Sequence, residues 1–465
     1  PHTRAPRQDA AFRLTTQSFE KQYAQIYFMR LNKLRDRARG AAAAAAPEVP
    51  VVSTVEVTEG VECVVVGTLH KQMRLKPDIL SEYDGSKKKG TKKGAKAEDG
   101  EPTNFADPSD SLVLEDESAR MPLCAAPEAP DCLHVGEVVT GAVVAVRGRR
   151  VEDGSRFAVT EMYFPGMAPQ APAPPLAEDK FVALVSGLEV GGEAGGPAES
   201  LRMQLLCDYL SGHLDAEGGL VRRVAHVVVC GNSVGTADGA SKEEGAAALK
   251  DLDQFLTQLS AALPVDLMPG ARDPSNISLP QQPFHSCLLP SAGRASAFCR
   301  ATNPHLCELD GLQLLATSGQ NVDDLAANSE LPPPTQPSGG GGGGGAPEGA
   351  GGAGAGAGGC ARPEDAGEHR VALMARMLRM AHLAPTAPDT LGCYPYWEAE
   401  PFVLETSPHV LVAGNQPEFA AGWVRGPEGQ GVRIICVPSF RASGTIVLVN
   451  LRDRSCHPVT LDLQL

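Results

Sequence analysis

Apolar residues near the start of the chain repeat at the spacing of an α-helix. Ser18 is a helix-capping residue type, and Glu20 would lie in the first turn of a helix that begins there. The apolar residues that share one face of this helix are Phe19, Tyr23, Ile26, Tyr27, Leu31 and Leu34. The alanine-rich run at residues 40–46 then predicts either a linker or a continuation of the helix.

From Val49 the pattern changes to short runs of β-branched residues. These runs are "VVSTVEV" at 51–57, "ECVVVGTLH" at 62–70 and a longer stretch at 137–164 in which Asp153-Gly154 predicts a hairpin turn. Several short strands within about a hundred residues predict a small closed barrel of the OB type.

A lysine-rich insertion, residues 84–102, interrupts the barrel pattern. It is either a patch for nucleic acid or nuclear import, or a solvated loop, and blocks of like charge favour the loop.

An OB barrel that binds single-stranded nucleic acid also needs aromatic side chains on which the bases stack. Tyr83 and Phe105 are the only Phe, Tyr or Trp residues between Val51 and Arg150. The barrel is therefore a poor candidate for base binding.

A proline-rich segment, residues 168–180, predicts a hinge into the last part of the chain. Beyond it, strand and helix patterns alternate, which predicts a mostly parallel sheet with helices on both faces. The alternating segments are a strand at 181–188, a helix at 199–212, a strand at 224–230, a helix at 242–263 and a strand at 264–270. A further helix would carry Val371, Met374, Leu378 and Ala381 on one face. Strand patterns at 408–419, 431–440 and 444–451 would complete or double the sheet.

These patterns predict a multi-domain α+β chain. Residues 1–46 would form a helix and linker, residues 47–167 an OB-type barrel, and residues 168–465 an α/β domain. The Gly/Pro-rich stretch at 331–361 cannot bury enough side chain to offset the entropy of ordering, so we expect a disordered loop there.

The charge distribution disfavours nucleic acid as a primary ligand. The whole chain has a formal charge of −15, and residues 1–40 contain nine Lys/Arg and three Asp/Glu, a balance of +6, which leaves −21 on the remainder. Phosphate contacts need clustered cations, so we expect DNA contact to be weak or indirect. The basic amino end fits a solvated helix face or a transit peptide, although residues 1–40 contain a single serine.

Cysteine usage favours a reducing intracellular compartment. The twelve cysteines include no C-x-x-C pair, so neither a zinc ribbon nor a redox dithiol is indicated, and no secretory leader is apparent. No run of eighteen apolar residues occurs, so we expect no membrane association.

The stretch "VVVCGNSVG", residues 227–235, poses the main question of function because it contains G-x-S-x-G. In an α/β-hydrolase this motif exposes a nucleophilic serine at the start of a helix. Here the best helix start is the capping box Ser241-x-x-Glu244, too far beyond Ser233 for such an elbow. Gly191-Gly192 lacks the histidine of an oxyanion motif, although Asp389 with His409 or His457 would offer triad partners. A serine hydrolase is therefore a minor alternative.

The order of strands and loops resembles the binuclear metallophosphoesterases. That family places acids, histidines and an asparagine after successive strands, where they hold two metal ions that activate water. In this sequence the glycines remain and the ligands do not. The resemblance places the degenerate ligand positions at Ser186, Leu188, Asn232, Gly235, Ala271, Arg272, Asn415 and Pro417. It implies a metallophosphoesterase-like (calcineurin-like) sandwich, and we expect this domain to have no metal, cofactor or catalytic residue. The alternative is a residual metal-dependent phosphodiesterase.

Asp273 is the one acid left at these positions, and one carboxylate cannot hold two metals. We expect it to bond nearby backbone N–H groups in the turn before Pro274. His226, His285, His305 and His409 form no H-x-x-x-H pair, so we expect each to be packed or solvated.

An OB barrel joined to such a domain resembles the B subunits of the eukaryotic replicative DNA polymerases. Long segments are closely similar to the second, regulatory subunits of DNA polymerase delta, and they occur in the family's order. They include "SFEKQYAQIYFMRL" from Ser18, "VVVGTLHKQM" from Val64, "PVDLMPGARDPSNISLPQQPFHSCLLP" from Pro264, "TSGQNVDDL" from Thr317 and "LAPTAPDTLGCYPY" from Leu383. The insertions at 84–102 and 331–361 depart from the family pattern.

The resemblance implies a non-catalytic scaffold in the nucleus. Its partners would be the cysteine-rich C-terminal region of the catalytic subunit and a third subunit that links the complex to the sliding clamp. The polymerase chemistry and the bound metals would belong to the catalytic subunit.

Overall fold

The computed structural model describes residues 9–15, 18, 20–76, 104–151, 154–191, 197–214, 219–235, 241–330 and 366–461. Several features predicted from the sequence lie outside these ranges. They are the lysine-rich insertion 84–102, the Gly/Pro-rich stretch 331–361, Phe19, Tyr83, Asp153 and Gly192. Within the described ranges, no helix is both long and apolar enough to cross a membrane.

The first helix begins later than the sequence predicts. Helix α1 spans Ala24–Ala45, so the cap at Ser18 is wrong, and Tyr23 at the helix start provides no side-chain cap. The backbone N–H of Ser18 instead donates to the Tyr394 hydroxyl at 2.6 Å, which holds this part of the chain outside the helix. The alanine run is helical, and the small Ala38 and Ala42 are fully buried against the next part of the chain.

Six strands form the predicted OB-type barrel. They are β1 (Val51–Val52), β2 (Glu62–Gln72), β3 (Ser111–Glu115), β4 (Arg120–Ala125), β5 (Val143–Arg150) and β6 (Phe157–Tyr163). Pairing runs β2-β3-β4-β6-β5 and returns from β5 to β2, with β4 and β6 parallel. Side chains of β2 alternate between the inside and the outside of the barrel. Cys63 and Val65 face the barrel core, whereas Val64 and Val66 pack against α1, which covers the outside.

One predicted strand is mostly a turn. Only Val51–Val52 of "VVSTVEV" is extended, and Thr54–Glu56 forms a 3₁₀ turn. Ser53 and Glu56 form a local capping box, and the Asp116 carboxylate at the end of β3 accepts the backbone N–H of Thr54 at 2.8 Å. These side-chain bonds replace strand pairing there.

The second half of the chain contains two sheets. The sequence left open whether the later strands complete or double the first sheet: those at 408–419 and 431–440 lie in the second sheet, and the one at 444–451 joins the first. The first sheet has the order β10-β9-β8-β7-β16-β17, and the second has the order β11-β12-β13-β15-β14. Strands of the first sheet are β7 (Phe181–Val185), β8 (Val224–Cys230), β9 (Val265–Met268), β10 (Phe298–Arg300), β16 (Thr445–Asn450) and β17 (Cys456–Thr460). Strands of the second are β11 (His305–Leu309), β12 (Leu312–Thr317), β13 (Val410–Gln416), β14 (Ala420–Arg425) and β15 (Gly431–Pro438).

Each sheet packs on the other through one face and on helices through its opposite face. Helices α2 (Pro197–Leu210) and α3 (Lys242–Ala262) cover the first sheet, and α4 (Gln320–Ala327) and α5 (Ala366–Met380) cover the second. A short helix α6 (Phe440–Ser443) leads into β16. The predicted capping box of Ser241 and Glu244 starts α3. The result is a four-layer sandwich in which both central sheets are buried on both faces.

The proline-rich segment after the barrel is bonded to the sandwich. Gln170 donates to the Pro408 and Gly431 carbonyls at 2.8 and 3.0 Å, and the Ser407 hydroxyl donates to the Ala168 carbonyl at 2.8 Å. The predicted hinge is therefore pinned to the sandwich at several points.

Arg30 forms a second connection between the parts of the chain, and its side chain is fully buried. Its guanidinium donates to the Gly141 carbonyl of the barrel and to the Pro385 and Ala387 carbonyls of the sandwich, at 3.1, 2.7 and 2.6 Å. The fully buried carboxylate of Glu400 lies 3.4 Å away. These residues, together with His382 beside Glu400, form what we call the Arg30 junction.

Candidate functional site

The predicted ligand positions meet at one edge of the sandwich. Parallel strands of both sheets end there, so their following loops converge. We call residues 186–190, 231–235, 269–273 and 414–417 the loop cluster. Backbone hydrogen bonds join its first two loops: Glu189 N–H donates to the Asn232 carbonyl at 3.0 Å, and Val190 N–H donates to the Ser233 carbonyl at 2.9 Å.

Ser186 and Asn415 bond the strand ends of the two sheets together. The Ser186 hydroxyl donates to the Val437 and Pro438 carbonyls at 3.1 and 2.9 Å, and it accepts the backbone N–H of Asn415 at 3.0 Å. The amide nitrogen of Asn415 donates to the Cys230 and Ser318 carbonyls at 3.1 and 2.9 Å. Side chains at two of the predicted ligand positions therefore serve as neutral cross-links.

The remaining positions offer no set of metal ligands. Leu188 is buried in the apolar core beneath α2 and α3. Arg272 is exposed and pairs with Glu189 at 3.3 Å, while its backbone N–H donates to the Asn232 side-chain oxygen at 3.2 Å. Gly235, Ala271 and Pro417 carry no ligating side chain. The structure thus brings together all eight sequence positions without forming a cation site from them.

The backbone itself occupies the space at the centre of the cluster. A Cβ atom on Gly414 would lie 2.5 Å from the Cys230 carbonyl oxygen, and one on Gly270 would lie 2.4 Å from the Asn232 nitrogen. Contacts this short leave no room for even a methyl group. The glycines at these positions permit close approach of the loops.

Asp273 has the structural role expected from the sequence. Its carboxylate accepts the backbone N–H groups of Ser233, Val234 and Gly270, all between 2.8 and 2.9 Å. Burial raises the pKa of Asp273 to about 7, against the effect of these N–H donors, which favour the ionised form. Both carboxylate oxygens bond backbone N–H groups of the chain, so the carboxylate does not face a substrate.

The geometry contradicts the serine-hydrolase alternative. Ser233 is fully buried, and the next helix in the described ranges starts only at Lys242. The proposed triad partners are engaged elsewhere: Asp389 pairs with Lys76 at 2.6 Å, and His409 bonds the Gln313 N–H and the Ala171 carbonyl, both at 2.9 Å. His457 packs edge-on against Phe181. Among the described residues, no base forms a hydrogen bond with the Ser233 hydroxyl.

One polar cluster was missed by the sequence patterns. His226, Asp266, His305 and Cys307 meet between the two sheets, and Asp9 of the amino-terminal segment covers them. The two histidines are packed, as predicted, but their common neighbour Asp266 was not recognised. The sequence feature that could have revealed this cluster is the presence of polar residues at inward-facing positions of otherwise apolar strands. By contrast, His285 caps the turn that contains Cys287 and lies at the surface.

Comparison with known proteins identifies the class of protein that these two parts define. Residues 22–162 match the family described as "DNA polymerase delta subunit OB-fold domain". Residues 182–421 match the family of B subunits of DNA polymerases alpha and epsilon. The chain therefore combines the two parts of a replicative polymerase B-type accessory chain, and the first match confirms the OB fold.

Full-length relatives include the small subunits of one polymerase. The chain is 39% identical over 451 residues to the "DNA polymerase delta small subunit" of Oryza sativa, covering 95% of this chain and 93% of the relative. It is 38% identical to the protein of that name from Arabidopsis thaliana, covering 96% and 92%. The Saccharomyces cerevisiae protein is 32% identical, covering 86% and 79%. The chain belongs to the family of DNA polymerase delta small subunits.

This relationship makes the chain an accessory subunit of a DNA replication complex. It functions in association with other subunits of DNA polymerase delta. The regulatory character of the family agrees with the loop cluster, in which Ser186 and Asn415 bond neighbouring strands.

Proposed function

We propose that the chain is a scaffold that joins the C-terminal region of the polymerase delta catalytic subunit to a third, clamp-linked subunit. The observation that carries this proposal is the loop cluster, where side chains at the predicted ligand positions bond neighbouring strands. Such bonds fix the shape of a surface and leave no reacting group on it.

The proposal includes the architecture of the sandwich. We infer a phosphoesterase-type, calcineurin-like domain over residues 168–465, preceded by the barrel at 47–167 and the helical segment at 1–46. Support comes from the four layers and from the position of the loops at the ends of parallel strands. In this interpretation Ser186, Leu188, Asn232, Gly235, Ala271, Arg272, Asn415 and Pro417 mark lost metal ligands.

Contact with DNA would be indirect or weak, and the site of action would be the nucleus. The chain has a net charge of −15. Phe105, the one Phe, Tyr or Trp residue of positions 51–150 that the structure describes, bonds α4 through its backbone N–H, which donates to the Ala327 carbonyl at 2.7 Å. Neither feature suits a single-strand binding groove.

Co-expression tests the scaffold. The full chain is co-expressed with the catalytic subunit's C-terminal region and with the third subunit, singly and together, and the complexes are analysed by size-exclusion chromatography with mass measurement. We expect both binary complexes and a ternary complex. A chain that binds one partner and never both would contradict the bridging role, although it would remain an accessory subunit.

A phosphodiesterase assay tests the alternative. We expect the full chain with manganese to hydrolyse bis(p-nitrophenyl) phosphate no faster than a protein-free blank. Turnover that disappears in Asp273→Ala, while Asp453→Ala of the exposed 451–454 turn retains it, would establish a residual active site instead.

A further inference from the structure

The polar cluster between the sheets combines three kinds of metal-binding side chain. His226 from β8, Asp266 from β9, and His305 and Cys307 from β11 all face the layer between the sheets, which is otherwise lined by residues such as Val228 and Met268. We call these four residues the intersheet cluster. Imidazole, thiolate and carboxylate groups are the usual protein ligands of zinc.

The distances suit a tetrahedral ion. One ligand atom each from Asp266, His305 and Cys307 lies within 4.8 Å of the other two. His305 Nε2 is 3.2 Å from Asp266 Oδ2, close to the roughly 3.3 Å that separates two tetrahedral ligands each about 2.0 Å from zinc. His226 Nε2 lies 2.8 Å from the same oxygen, which makes it the candidate for a fourth ligand.

A second, independent feature is the unsatisfied carboxylate above the cluster. Asp9 is fully buried, and neither of its oxygens has a hydrogen-bond partner among the described residues. It lies 3.8 Å from His305 Nδ1, which also has no partner there, and 3.6 Å from the Arg13 guanidinium. Metal-bound histidines commonly donate their second ring N–H to a carboxylate, which fixes the ring orientation.

We propose that the intersheet cluster is a structural Zn²⁺ site. His305 Nε2, the Asp266 carboxylate, the Cys307 thiolate and His226 Nε2 bind the ion, and Asp9 orients His305 through Nδ1. Two neutral imidazoles, one carboxylate and one thiolate balance the charge of Zn²⁺, which suits the apolar layer around it. None of the four ligands belongs to the loop cluster, so the zinc proposal does not rest on the proposed scaffold function.

The site would attach the amino-terminal segment to the sandwich. Asp9 opens a 3₁₀ turn, Asp9–Phe12, that contacts β11, and Phe12 packs in the same apolar cluster as Phe402. By holding His305 in one orientation, zinc would favour the docked position of this turn.

Metal analysis of the full chain tests the proposal. The wild-type chain, expressed with zinc and passed through gel filtration, should contain about one zinc ion per chain by plasma mass spectrometry. Cys307→Ala should lose most of it, whereas Cys436→Ala, a matched substitution of another buried cysteine, should retain it. Asp9→Asn should retain the ligands and weaken zinc binding about 10- to 100-fold.

Cobalt substitution provides a test that requires no variant to fold. The wild-type chain exchanged with Co²⁺ should show the visible absorption of a tetrahedral site and a thiolate-to-cobalt charge-transfer band. A wild-type chain that contains no zinc and gives no such spectrum would overturn the proposal, leaving a hydrogen-bonded Asp–His network. Equal zinc contents in Cys307→Ala and wild type would overturn it as well.

Discussion

The loop cluster and the Arg30 junction are both polar regions inside the protein, but they use different chemistry. In the loop cluster, neutral hydroxyl and amide groups such as Ser186 and Asn415 bond the ends of adjacent strands. In the Arg30 junction, two fully buried charges, Arg30 and Glu400, lie 3.4 Å apart. The loop cluster therefore has no arrangement of charges suited to catalysis, whereas the Arg30 junction contains a buried ion pair.

The difference follows from what each region must hold. Strand ends in the loop cluster are already positioned by the sheet ladders, and short-range bonds from Ser186, Asn415 and Asp273 add to them. Among the described residues no ladder joins the barrel to the sandwich, since the strands pair within three separate sheets. A guanidinium that reaches carbonyls from both parts supplies that connection, and a buried charge is costly to leave without its partner.

The largest expected effect is at the Arg30 junction. Arg30→Ala removes donors from three buried carbonyls and leaves the Glu400 charge unpaired, so we expect a loss of about 3–5 kcal/mol in the free energy of unfolding. Urea titration followed by far-UV circular dichroism measures it.

Arg30→Lys serves as the control because it keeps the charge and loses the planar fork. We expect it to be intermediate between wild type and Arg30→Ala. A loss below about 1 kcal/mol for Arg30→Ala would mean that the apolar contacts alone join barrel and sandwich.

Acid should weaken the same junction through His382. Burial, helped by the Arg30 charge, lowers the pKa of His382 to about 4 from its usual 6.5. The folded state therefore favours neutral His382, and its contribution is complete above pH 6.5 and decreases as the pH falls from 6.5 towards 4.

Thermal melts between about pH 7 and pH 4.5 measure this contribution. His382→Asn keeps an acceptor for the Ala384 N–H but cannot take up the proton, so its melting temperature should fall less over this range than that of wild type. If the melting temperatures of the two proteins fell equally with pH, His382 would be excluded as the source of the pH dependence.

A smaller effect is expected within the loop cluster. Asp273→Asn replaces one acceptor oxygen with an amide NH₂ group that faces a backbone donor, which should cost about 1–3 kcal/mol. Asp453→Asn is the matched control, since Asp453 is exposed and accepts the Ser455 N–H at 2.8 Å. If the two variants were equally stable, the loop cluster would not depend on Asp273.

The smallest effect is expected at an exposed ion pair, which gives the baseline for the other two regions. Arg147 and Glu62 lie 2.9 Å apart on the barrel surface. Glu62→Gln should change stability by less than about 0.5 kcal/mol, because solvent and salt screen exposed charges. If Glu62→Gln lost as much free energy of unfolding as Arg30→Ala, burial would not explain the difference between the exposed ion pair and the Arg30 junction.

Prediction from the sequence succeeded where the pattern was local and repeated. Strands β2, β5 and β6, the Ser241 cap and the bonding of Asp273 to its neighbouring turn could be predicted, because alternation and capping depend on nearby residues. The start of α1 was wrong because Ser18 is held by Tyr394, a residue far along the chain. Strands β11 and β12 were not predicted, and the sequence left open whether the later strands complete or double the first sheet, because sheet pairing depends on contacts between distant segments.

Residue identity and order were enough to predict the family, the barrel and the loss of most metal-ligand types from the loops. The bonds that the loops form instead, and the distant residues that meet, depend on the folded chain. Ser186 bonds Asn415, Arg30 reaches Pro385, and Asp266 lies between two histidines because strands and loops far apart in sequence pack side by side. Such contacts depend on the path of the whole chain, which no local spacing encodes.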